Sequence, residues 1–200
     1  MLLGSAEKRK LINIGVSYSR KLLLTRVVNW QYNAEILPVA LEGDPLTRAV
    51  VDQTSPSVAT LTSDEGPSIT CAPITETYSY TEAGVTYAGT VSIFCHGRQW
   101  TIGEALSPVG MQWNFLPSRK LQPFLIAHGG YMYSTQAIPV QYAGSFNFTF
   151  DLGAGIELYQ TRSQSVRLEY RYHHISNHDT ADFNPGIDNG LLQFTYLFGR

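Results

Sequence analysis

Residues 146–158 read Phe-Asn-Phe-Thr-Phe-Asp-Leu-Gly-Ala-Gly-Ile-Glu-Leu. Every second side chain, from Phe146 to Leu158, is apolar, and the residues between them, from Asn147 to Glu157, are polar or glycine. Strict period-two alternation over this length is a strand whose two faces meet different media. The pattern recurs at 12–18, 28–36, 109–115, 123–133, 166–172 and 192–198, so seven strands are expected. Their apolar rows carry aliphatic and aromatic groups, and their polar rows carry Asn, Gln, Glu, Arg, Thr and Gly.

Which row meets water decides the fold. With 200 residues the chain has the size of one domain. It is rich in Tyr, Phe and Gly and only 15% charged, a composition that fits an outer-membrane barrel and equally a soluble sandwich or lipocalin-like barrel. Three features favour the membrane. Several strands exceed about 10 residues, the length a tilted membrane strand needs. Connections alternate between short (19–26, 116–122, 160–164) and long (41–102, 135–144, 177–189), as periplasmic turns and extracellular loops do. Finally, Arg167, Glu169 and Arg171 share the polar row with Asp151 and Glu157, charges that can pair inside a narrow lumen.

The expected fold is therefore all-β, an up-and-down antiparallel outer-membrane β-barrel. Residues 1–200 form a single barrel domain, and 41–102 is a long extracellular loop insertion with a weak strand near Thr86–Phe94. The apolar rows face lipid. Trp30, Trp113 and the tyrosines belong to that surface or its interfacial girdle, His128 belongs to the lumen, and Gly153 and Gly155 relieve crowding there. Bacterial single-chain barrels have an even strand number, so eight strands are expected, with one strand and a signal segment missing upstream of Leu11. The opening Met1–Lys10 lacks the apolar core of a signal peptide.

Other classes are excluded or bounded. A net charge of −2 without a basic stripe argues against nucleic acid. No apolar run approaches the roughly 20 residues of a membrane helix. Cys71 and Cys95 lie in a segment rich in Thr, Ser, Pro and Gly; one loop disulfide is expected, free thiols being the alternative, and their spacing is no zinc motif.

Chemistry concentrates at 172–188. The outward row Val166, Leu168, Tyr170, Tyr172 continues into His174 and Ser176. Side chains two apart on a strand share a face, so imidazole and hydroxyl lie side by side. A loop containing Pro185 and Gly186 returns the chain so that Asp188 meets His174. Base, nucleophile and orienter are the parts of an acyl-transfer site. Asn177 and Asn184 are expected to offer amide donors to the oxyanion. Because the pair sits on the lipid-facing row at the extracellular end, the substrate is expected to be a lipid of the outer leaflet. His173, His174, His178, Asp179 and Asp182 also suggest a metal cluster, but His173 and His174 point to opposite faces; neither metal nor cofactor is expected. Taken alone, a His-x-Ser pair is more often a strand end with two polar caps.

His174-Ile-Ser-Asn177 followed by Asn184-Pro-Gly-Ile-Asp188 resembles the signature of the lipid A 3-O-deacylases, the PagL type, also grouped as acyloxyacyl-hydrolase-like proteins. That family has a His-x-Ser-Asn motif and an acid twelve positions after the serine. Asp188 stands there, where the best-known members carry Glu, one methylene longer, and Asn184 matches the asparagine four before the acid. The resemblance runs from about Gly103 to Phe198 and is weaker over Leu11–Glu42. It implies an eight-stranded outer-membrane barrel that hydrolyses the 3-position ester of lipid A, or lipopolysaccharide, with Ser176 as nucleophile, His174 as base and Asp188 as acid, and without metal. The chain departs from the family in its long 41–102 insertion and in ending Leu-Phe-Gly-Arg rather than on an aromatic. Alternatives are a phospholipid or general acyl-ester hydrolase on the same barrel, a non-catalytic outer-membrane barrel, and a soluble lipid-binding barrel.

Overall fold

The computed structural model describes residues 8–68, 71–161 and 163–199. Most of the opening segment discussed above, residues 1–7, lies outside the described residues, as does the terminal Arg200. The alternating segments are strands, in order β1 (Lys10–Leu24), β2 (Val28–Ser55), β3 (Ala59–Pro67), β4 (Ile74–Glu82), β5 (Val85–Phe115), β6 (Leu121–Ser134), β7 (Phe146–Tyr159), β8 (Gln164–Ser176) and β9 (Ile187–Phe198). They form one antiparallel up-and-down sheet, β1-β2-β5-β6-β7-β8-β9, with β3 added to β2 and β4 to β5. Seven strands make the main path, as many as the alternation marks in this chain. β1 and β9 end it, close to each other but joined by no ladder among the described residues.

The partition of side chains is that of a sheet turned inside out. Phe146, Phe148, Phe150, Leu152, Ile156 and Leu158 are each 41–50% exposed. Asn147, Thr149, Asp151 and Glu157, on the opposite row, are buried. A water-soluble domain shows the reverse, whereas a barrel in lipid requires this arrangement. Buried charges need partners, and the interior supplies them. Glu35 accepts two bonds from the Arg171 guanidinium, at 2.6 and 2.7 Å, and Arg171 also donates to Glu169 at 2.7 Å. Glu157 accepts from Asn114 at 2.7 Å and Ser165 at 2.6 Å, with Arg167 at 3.6 Å. His128 Nε2 lies 2.8 Å from Asn33 Oδ1, in the lumen as expected. Gly153 and Gly155 do make room there: a Cβ at 153 would lie 2.8 Å from Arg171 Cγ, and one at 155 would lie 2.7 Å from Glu169 Cβ.

Residues 41–102 are not the loop expected from their Ser, Thr and Pro content. β2 and β5 run on past the other strands as a paired ribbon flanked by β3 and β4. Thr, Val and Tyr are strong strand formers, and a ribbon with water on both faces needs no alternation to signal it. Its β4–β5 hairpin turns through Ala83 and Gly84, both at positive φ (51° and 80°), the geometry of a type I′ turn. A disulfide joins Cys71 to Cys95. The first tight turn is also shorter than expected, because β1 continues to Leu24. Pro38 and Pro108 coincide with register shifts at Leu37/Ala40 and Leu106/Val109, where a missing N–H breaks the ladder.

At the end where the long connections gather, Ala40, Ala105, Met132, Ile138, Ile175 and Ile187 form a small apolar core inside the sheet. Ile175 and Ile187 face each other across β8 and β9. Burying such side chains is worth about 1.5–3 kcal/mol each. They fix the frame in which the outward neighbours of these two residues meet.

Candidate active site

The alternation of β8 continues unbroken to its last residue. His173 and Ile175 are buried, while Tyr172, His174 and Ser176 lie on the opposite, outward face. His173 hydrogen-bonds Asp151 in the lumen, so the two adjacent histidines serve opposite faces. Asp188, the second residue of β9, is directly opposite His174 in the ladder. Its Oδ1 lies 2.7 Å from His174 Nδ1. The side chains are 22% and 12% exposed, sheltered enough for the bond to persist and open enough for a ligand to reach the ring. A second donor reaches the same oxygen: the Tyr172 hydroxyl donates to Asp188 Oδ1 at 2.6 Å.

The loop from 177 to 186 makes this meeting possible. It leaves β8 through His178 and Asp179, both left-handed (φ 53° and 58°), and the Thr180 N–H donates to the Asn177 carbonyl at 3.1 Å. Non-glycine residues hold that conformation only when their surroundings enforce it. Asn177 enforces it. Its Oδ1 accepts from the Asp179 N–H at 2.9 Å, and its Nδ2 donates to the carbonyls of Phe183, at 2.7 Å, and Ala143. Gly186, at φ 58°, turns the chain into β9, as its place before Asp188 suggested.

Ser176 Oγ donates to Asn184 Oδ1 at 3.0 Å and accepts from the His178 N–H at 3.2 Å. A hydroxyl has one proton, so here Ser176 gives it to Asn184 and not to His174. The two asparagines differ from the oxyanion-donor expectation. Asn177 is 1% exposed and spends its amide donors on the loop, because its parity places it inward. Asn184 turns its oxygen toward Ser176, an orientation fixed by the Asn177 N–H, which also donates to that oxygen at 3.1 Å. The donor that does point at Ser176 is the backbone of His178, which no side-chain pattern could have signalled. Phe148, Thr149, Phe150, His174, Ser176 and His178 line an open cavity of about 390 Å³ on the outward face. Its walls are mostly aromatic, with the hydroxyl and imidazole as polar points.

A family model described as lipid A 3-O-deacylase (PagL) matches residues 72–196, more than half the chain and the whole of this site. No curated protein and no solved structure matches the chain.

Proposed function

The chain belongs to the PagL family of lipid A 3-O-deacylases, and we propose that it is an outer-membrane esterase that releases the 3-position acyl chain of lipid A through Ser176, His174 and Asp188. The observation that carries this reading is the 2.7 Å bond between His174 and Asp188, with Ser176 two residues along the same outward row. Asp188 holds the Nδ1–H tautomer and leaves Nε2 as the base. As substrate enters, rotation about Cα–Cβ of Ser176 carries Oγ from Asn184 toward His174 Nε2, to which its hydroxyl then donates; such bonds commonly tighten only in the complex.

Oγ then attacks the acyl carbonyl, and the oxyanion forms beside the His178 N–H. Collapse breaks the ester bond. The lipid A 3-hydroxyl leaves with the proton held by His174, and the acyl group stays on Ser176. Water, deprotonated by His174, attacks the acyl-serine, releasing the fatty acid and restoring the hydroxyl. An outward-facing site suits a substrate that diffuses in the same leaflet, its acyl chain lying along Phe148 and Phe150.

Mass spectrometry of lipid A from cells expressing the protein tests the proposal. Loss of one 3-position acyl chain, abolished by Ser176→Ala and by His174→Ala, is expected. Unchanged lipid A together with released phospholipid fatty acid would replace it with a phospholipase.

A further inference from the structure

Asp188 Oδ1 is shared. His174 Nδ1 approaches it at 2.7 Å and the Tyr172 hydroxyl at 2.6 Å. Resting on the reading that Ser176, His174 and Asp188 perform the hydrolysis, we infer that Tyr172 is a positioning residue, whose phenol holds the Asp188 carboxylate in the orientation that serves His174.

The ladder shows how such a prop works. Asp188 is the second residue of β9 and reaches His174 across the β8–β9 pairing. Its short side chain places the carboxylate by one principal torsion, and a swing away from β8 would break the bond to His174. A donor on β8 that engages the same oxygen prevents that swing.

Tyr172 is suited to the task by register. It pairs with Gly190, and Asp188 lies on the diagonal, two residues along the same face. Diagonal neighbours at that spacing are within reach of an aromatic side chain. Tyr170 leans the same way: a Cβ at Gly190 would fall 2.2 Å from its hydroxyl. The missing side chain at 190 gives Tyr170 room to lean over β9. Tyr172 itself does not line the reaction cavity, which is bounded by His174 and Ser176; it acts through Asp188.

The test is a double-mutant cycle on the full chain with lipid A as substrate. Tyr172→Phe removes one oxygen and is expected to lower kcat about tenfold with KM unchanged, the scale of one hydrogen bond to a charged group. In an Asp188→Asn background the same change is expected to cost less than about twofold, because the group it positions is already neutralised. Tyr172→Leu, which removes the ring as well, is expected to match Phe in kcat while lowering stability. An unchanged kcat in Tyr172→Phe, or an equal loss in the Asp188→Asn background, overturns the inference while leaving the nucleophile and base in place. Activity that survives Ser176→Ala overturns the proposed function, and the inference with it.

Discussion

His174 and Asp188 occupy opposed positions of the β8–β9 ladder, and their side chains meet on its outward face. Their distance is therefore a property of register. A slip of one residue would send Asp188 to the inner face and bring an inner side chain out. Ile175 and Ile187, paired one step along and each 1% exposed, hold the frame from inside. The outward chemistry thus depends on inward packing.

Asp188→Asn keeps the shape of the acid and removes its charge. An amide can present its NH2 to Nδ1 and stabilise the wrong tautomer. We expect kcat to fall by about 10⁴ with little change in KM, the scale seen when the acid of such a triad is neutralised. Initial rates of fatty-acid release from lipid A check this, and an unchanged unfolding midpoint shows that the loss is chemical.

Asn177→Ala leaves the Ala143 and Phe183 carbonyls without their donor and frees the left-handed turn at His178 and Asp179. Each buried group left unpaired costs about 1–3 kcal/mol. The expected result is faster amide exchange across residues 178–186, with kcat reduced because the His178 N–H no longer stays beside Ser176. Normal protection in that loop would show that Asn177 does not hold it.

Much of this was legible in the chain itself. Alternation placed β7 and β8 to within a residue or two, and parity put His174 and Ser176 outside and His173 inside, because a strand allows no other arrangement. The return of Asp188 followed from spacing. What escaped has physical causes. The ribbon within 41–102 has water on both faces, so periodicity marked no more of it than the weak strand near Thr86–Phe94, which is the start of β5. The inward turn of Asn177 follows from parity and was legible; its loop contacts to Ala143 and Phe183 were not. The bond from Tyr172 depends on the lean of one ring, although its place on the catalytic row was visible.

Glu35→Ala separates the interior from the site. Glu35 accepts two bonds from the buried Arg171, and removing it leaves a guanidinium charge short of its partner. Breaking a buried pair in this way costs about 3 kcal/mol. A lowered urea midpoint in lipid vesicles is expected, while kcat on lipid A stays within about twofold because the site lies on the other face of the sheet.

Leu152→Arg tests the orientation on which the substrate reading depends. Leu152 sits midway along β7, 50% exposed, on the row that leads to Phe150 and the site. If that row meets hydrocarbon, an arginine there lowers folding stability in vesicles by about 2–4 kcal/mol. If it meets water, an exposed leucine replaced by arginine changes stability by no more than about 0.5 kcal/mol. The first outcome is expected, because nothing else accounts for a sheet that buries Arg167, Glu169 and Arg171 while presenting phenylalanines outward. A penalty in vesicles that vanishes in water would also explain why the hydroxyl and imidazole lie on the outer face, where an acyl chain can reach Ser176 without leaving the lipid.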